Sequence, residues 1–250
     1  MRNKIVRKLL LIALLLVSFA IFYVVYRAIS GAEDPMSRFL YFLPFVLQIL
    51  VNIILITFLD SNYTRYSGLE YQIAPLLLFS ITLENIKVLN LYSVMNYQVL
   101  IKESIVNKVY FFAILLSAFT FVGLSLYQQA KSSQKSNNYI LLSLLFTFFL
   151  SFFGPTIDYI GFSETYNFYT VIVGALYAIA ILNLFINIFR NFEKTKLIEN
   201  IFLIFCAIGN FMITIVSKNS YNYPGLFLYD LGIIGLIVLV SKKNNGNTYG

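Results

Sequence analysis

IAPLLLFSITLENIKVLNL, residues Ile73–Leu91, is the stretch on which the reading of this chain turns. It is apolar enough and long enough to cross a bilayer, which takes about 20 mostly apolar residues. It also contains Glu84 and Lys87. A charge at membrane depth costs roughly 2.5–3.5 kcal/mol on insertion scales. The two residues are three apart, so on a helix they share a face and can pair. The stretch is a span only if those charges are paired.

Working outward from it, seven further apolar segments fill the chain. They are Leu9–Tyr26, Phe39–Leu59, Val109–Tyr127, Tyr139–Ile157, Tyr166–Phe189, Leu197–Val216 and the shorter Pro224–Val240. Residues 1–250 therefore read as one integral membrane domain, an all-α polytopic bundle of about eight transmembrane helices. The composition agrees: 59% of the residues are hydrophobic and 12% charged, against about 25% charged in soluble domains.

The first segment has a second reading. A basic start followed by an apolar run resembles a signal peptide, and Ala28-Ile29-Ser30 fits a cleavage site. Cleavage would leave seven spans and place the new N-terminus outside. The 18-residue run Leu9–Tyr26 exceeds the usual signal core of about 7–15 residues, which favours an uncleaved helix.

Basic residues orient the spans. With the N-terminus inside, twelve Lys and Arg fall in inside segments, among them Arg2, Lys4, Arg7, Lys8, Arg65, Lys131, Lys135 and Arg190. Five fall outside: Arg27, Arg38, Lys102, Lys108 and Lys218. The bias favours both termini in the cytoplasm of a cell with this protein in its plasma membrane. It also accounts for the net charge of +7 without nucleic acid. The lipid bilayer is the expected partner, together with a membrane or cytoplasmic protein.

Loops are short. Tyr92–Lys108 is the longest, and its mixture of apolar and charged residues suggests an interfacial helix or an ordinary loop. Residues 241–250 form a short Asn/Gly-rich tail, expected to be cytoplasmic and disordered.

Polar residues inside the spans are the candidate site. Glu84, Lys87 and Asp230 all fall in the outer half of the bilayer, counted at 1.5 Å per residue from the predicted span ends. Gln48 and Asn52 lie near the middle of the second segment, and Ser80 extends the polar stripe below Glu84. One reading is a polar pocket for a small ligand, ion or proton. The other is a network that pins helices together, with Lys87 snorkelling outward. Pairing within one helix favours pinning. A second stripe, Asn183, Asn187, Arg190 and Asn191, occupies one face of the sixth segment. It reads as helix–helix hydrogen bonding with a positive-inside anchor. Gly154-Pro155 should kink or end the fifth segment, and Tyr221, Tyr223 and Tyr229 read as interface anchors.

Several chemistries are excluded. The chain has no histidine and one cysteine, Cys206. That removes Ser–His proteases, ordinary zinc sites and intrachain disulfides. There is no Walker A motif or dinucleotide fingerprint, and Gly161–Thr165 lacks the second glycine of a nucleophile elbow. Tyr229-Asp230 resembles half the signature of intramembrane aspartyl proteases, but the Gly-x-Gly-Asp half is missing. No cofactor or metal is expected. The expected function is a non-enzymatic sensory, receptor-like or accessory membrane subunit. The rival is a small transporter that couples ions or protons through Glu84, Lys87 and Asp230.

Overall fold

In a computed structural model, each apolar segment is helical over its described residues, and most helices run past the bounds that hydropathy assigns. The structure describes residues 2–61, 70–96, 98–127, 133–153, 168–190, 193–214 and 219–246. The helices are α1 (Arg2–Ser30), α2 (Pro35–Ser61), α3 (Glu70–Glu84), α4 (Val88–Asn96), α5 (Glu103–Tyr127), α6 (Ser133–Phe153), α7 (Phe168–Arg190), α8 (Lys194–Thr214) and α9 (Asn219–Gly246). A 3-10 turn, Asn85–Lys87, joins α3 to α4.

Seven spans are long and apolar enough to cross a membrane, with α3, the turn and α4 together making one of them, Ile73–Asn96. In α6 the apolar part, Leu141–Phe153, is shorter. The rest of the expected fifth span, together with Gly154-Pro155, lies outside the described residues.

The bundle is arranged around the α3–α4 span and α5. Of their membrane-crossing windows, 72% and 78% of residues are buried, against 28% for α1 and for α7. Helix α5 packs against α3, α6 and α7, while α2 packs against α1, α3 and α9. Helix α1 turns Leu14, Ser18, Ile21, Val25 and Ala28 inward and packs on α2, α3 and α4. The outward faces carry large apolar side chains such as Leu16, Phe19, Leu142, Phe153, Phe189 and Phe227. Hydrocarbon solvates such faces as well as a core does, so the drive for helix to meet helix comes from packing and hydrogen bonds.

Close packing is most evident between α8 and α9. A Cβ added at Gly209 would lie 2.4 Å from Tyr229 N and 2.6 Å from Gly225 O. One at Gly232 would lie 2.6 Å from Phe202 O and 2.8 Å from Cys206 N. Backbone meets backbone here, and only hydrogen fits. Small residues at such contacts are the usual device of membrane helix pairs.

Proline placement follows the same accounting. Pro44 sits inside α2, where it has no N–H to donate to the carbonyl four residues back. That carbonyl is Leu40 O, and Tyr223 OH of α9 donates to it at 2.5 Å. A neighbouring helix thus replaces the lost bond, which is how interior prolines are tolerated in membrane helices.

At one end of the bundle Arg38 gathers three helices. Its guanidinium donates to Ala28 O, Asn96 Oδ1 and Met95 O at 3.2, 2.7 and 3.3 Å. The acceptors include the last turns of α1 and α4, whose terminal carbonyls lack helical partners.

The expected interfacial helix between Tyr92 and Lys108 does not form. Helix α4 continues to Asn96 and α5 begins at Glu103, so most of that segment extends the two spans. Of the tail expected to be disordered, the residues through Gly246 continue α9, and the last four lie outside the described residues.

A buried polar lock

Near the middle of the bundle, polar side chains from five helices and the 3-10 turn meet. Glu84 ends α3 and is 2% exposed. Both carboxylate oxygens accept from Asn210 Nδ2 on α8, at 3.3 and 3.1 Å. Thr214 Oγ1 lies 3.1 Å from Glu84 Oε2 and also bonds Asn210 O. Its single proton serves one acceptor at a time. Asn210 and Thr214 are four apart on one helix, so both face the same carboxylate.

Asn210 is the hub. Its Oδ1 accepts from Gln48 Nε2 of α2 at 2.9 Å, and its Nδ2 also reaches Tyr177 OH of α7 at 2.7 Å. Gln48 Oε1 in turn accepts from Asn85 Nδ2 in the 3-10 turn at 3.0 Å. Tyr177 OH is 3.1 Å from Ser117 Oγ of α5, and Ser117 donates to Ile114 O at 2.9 Å. Either hydroxyl of the Ser117–Tyr177 pair can donate. The rest of the hydrogen-bond chain runs one way: Asn85 to Gln48, Gln48 to Asn210, Asn210 to Tyr177. A buried network with every member satisfied fixes one arrangement of its helices.

One turn along α2, Asn52 makes a smaller cluster. It donates to Thr82 Oγ1 at 3.1 Å and accepts from Tyr229 OH of α9. Tyr229 is therefore buried in the bundle and is no interface anchor, whereas Tyr223 is half exposed. The side chain of Tyr221 lies outside the described residues.

Lys87 does not pair with Glu84 at contact distance, contrary to the expectation from their spacing. Its Nζ donates to Ile213 O at 2.6 Å and lies 4.8 Å from the centre of the Phe45 ring. Tyr110 OH donates to the next carbonyl, Thr214 O, at 2.7 Å. Both groups cap the end of α8, where carbonyls lack intrahelical partners and a cation is favoured. In the 3-10 turn, residues three apart eclipse one another, so Glu84 and Lys87 both reach toward α8. There a carboxylate finds donors and an ammonium finds a carbonyl, and each charge is satisfied on α8.

Other expected positions divide. Gln48, Asn52 and Glu84 are brought into the lock. Ser80 is buried but donates to Leu77 O of its own helix at 2.8 Å. Asp230 is not part of the lock: it makes no hydrogen bond or ion pair with Glu84 or Lys87. Its neighbour Tyr229 points inward, which turns Asp230 about 100° away to the outer side of the α8–α9 pair. Of the second stripe, Asn187 donates to Ser125 O of α5 at 2.7 Å, Asn183 is half-buried and Arg190 is exposed. Asn191 lies outside the described residues.

Among the described residues, three side chains carry buried polar atoms without a partner, and one of them is Ser151 through its Oγ. Both amide atoms of Asn200 on α8 lack a partner, and so does Oδ1 of Asp230. Asp230 lines a groove of about 840 Å³ between α8 and α9. Neither Glu84 nor Lys87 lines this groove or the two smaller cavities. Among the described residues no three metal-ligating side chains cluster. No protein-family model, curated protein or solved structure matches the chain.

Asn85, Ser117, Tyr177, Asn210 and Thr214 were not singled out in the sequence. The signal for two of them is there: Asn85 adjoins Glu84, and Asn210 with Thr214 interrupts an apolar run at helical spacing.

Proposed function

We propose that the chain is a plasma-membrane protein without catalytic machinery, a receptor-like or accessory subunit that works through a partner protein. Both termini lie in the cytoplasm, on the strength of the twelve-to-five bias in basic residues. One observation carries the reading. The buried carboxylate of Glu84 is engaged from α8 through Asn210 and Thr214, and it lines neither the α8–α9 groove nor the two smaller cavities described above. A carboxylate that couples transport needs an open path and a changeable partner. This one serves as a bolt between α3 and α8. Asp230 stands apart from it, so the three charges do not form one route.

The test is flux in proteoliposomes under imposed proton and cation gradients. Wild-type protein should leak no faster than empty vesicles, and Glu84→Leu should lower its melting temperature. Gradient-driven flux that Glu84→Gln abolishes in a protein of wild-type melting temperature would establish a transporter instead.

A further inference from the structure

The groove between α8 and α9 is lined by Phe202, Phe227, Leu231, Ile234 and Val238, with Asp230 as its charged residue. Phe227 and Ile234 are 67% and 57% exposed. Lipid tails satisfy those side chains. They cannot satisfy Asp230, whose carboxylate has no hydrogen-bond partner among the described residues: Oδ1 is closed off within the wall, and Oδ2 is left for an occupant of the groove. A tail offers no hydrogen-bond donor, and a buried ionisable group in a membrane calls for one.

The depth of Asp230 narrows the donor. Within the apolar stretch Pro224–Val240 it lies six residues from one end and ten from the other, about 9 and 15 Å along the axis. The hydrocarbon core is about 30 Å thick, so headgroups sit about 15 Å from its centre. The short side chain of Asp230 cannot reach a headgroup amine. The chain offers no substitute, because Lys87, the buried cation among the described residues, is committed to Ile213 O. A second copy docked face to face would set one Asp230 against the other. The shape narrows it further. From Tyr223 to Leu239 the groove follows sixteen residues of α9, roughly 24 Å at helical rise, which suits a rod that crosses the membrane.

We propose that this groove docks a transmembrane helix of a partner protein that presents a lysine or arginine within its apolar stretch opposite Asp230. The proposal rests on the reading of the chain as a subunit that works through a partner, and it names that partner's chemistry. An ammonium or guanidinium supplies the missing donor, and the apolar walls take the flanking side chains. Polar groups of this kind hold membrane helices together where hydrophobicity cannot.

The test uses the full-length protein, donor-labelled, in phosphatidylcholine vesicles with acceptor-labelled peptides of a Leu/Ala transmembrane host. One peptide carries a central lysine and the other a central leucine. The lysine peptide should reach half-maximal energy transfer at about a tenfold lower peptide-to-lipid ratio. Asp230→Asn should abolish that preference, and Ile234→Trp, which fills the groove but keeps the carboxylate, should weaken binding of the lysine peptide. Both variants face outward, and a melting temperature checks their fold. Equal binding of the two peptides, or unchanged binding to either variant, overturns the proposal. Displacement of the lysine peptide by an equal mole fraction of octadecylamine would assign the groove to a single-chain amphiphile and also overturn it. Flux and peptide association are separate readouts, so the failure of one is distinguishable from the failure of the other.

Discussion

Glu84 and Asn210 stand 126 positions apart in sequence, yet the amide of Asn210 is within 3.3 Å of both carboxylate oxygens of Glu84. Their meeting ties α3 to α8, and through Gln48 and Tyr177 it also engages α2 and α7.

Replacing the carboxylate should expose that dependence. Glu84→Leu should lower stability by about 1–3 kcal/mol, the range for losing a charged hydrogen-bond partner, read as melting temperature in detergent. Glu84→Gln should lose less, since its amide oxygen still accepts from Asn210. Glu84→Leu also removes the negative charge that acts on Lys87 from beyond contact distance, so adding Lys87→Met should restore part of the loss. If the double variant is as unstable as the sum of the singles, the two charges are not coupled across α8.

Glycines should divide by what surrounds them. Gly209→Ala pushes α9 away from α8 and should destabilise by about 1–3 kcal/mol, as overpacking does. Gly174→Ala meets nothing within 4 Å and should be neutral or stabilise by up to about 1 kcal/mol, because alanine is the better helix former. Equal effects at the two sites would contradict the close approach of α8 and α9.

The Pro44–Leu40–Tyr223 arrangement predicts a conditional effect. In the wild type, Tyr223→Phe removes the donor to Leu40 O and should cost about 0.6 to 1.7 kcal/mol, the span for membrane hydrogen bonds. In a Pro44→Ala background the backbone N–H of residue 44 can bond Leu40 O itself, and Tyr223→Phe should then be nearly silent. A double-mutant cycle measures the difference. An additive cycle would mean that the tyrosine does not stand in for the proline's missing donor.

Along α7, Asn187 and Asn183 should behave unlike each other. Asn187→Leu loses the bond to Ser125 O and should lower stability by about 0.6 kcal/mol or more. Asn183→Leu replaces a half-buried amide on a largely apolar face and should be neutral or favourable. A larger penalty at Asn183, measured by thermal unfolding, would reverse this assignment.

The helical class and the place of seven of the eight expected spans could be read from hydropathy, because a bilayer imposes that pattern directly on the chain. Span ends were harder. Asn, Gln and Tyr are tolerated in the terminal turns, so α4 reaches Asn96 and α9 starts at Asn219 where hydropathy stops short. The lock was half legible. Charged residues announce a burial penalty, which pointed to Glu84 and Lys87. The uncharged partners Asn210, Tyr177 and Ser117 carry no such signal. Their helices also meet only in three dimensions, so the spacing of Glu84 and Lys87 suggested a pair where each in fact turns to α8. Asp230 was misplaced for a related reason: depth can be counted along a sequence, but which neighbour a helix face meets cannot.

The short 3-10 turn at Asn85–Lys87 has an effect beyond the two charges it presents. Three residues wound at 3.0 per turn instead of 3.6 advance the chain by about 60° more than an unbroken α-helix would. All nine residues of α4 are therefore out of phase with α3. With that offset Leu91 and Tyr92 are buried in the core and Asn96 accepts from Arg38. The polar interruption thus works as a phase adjuster for the span. A substitution that straightened it into continuous α-helix would swing the far end of the span away from Arg38 without altering a single residue there.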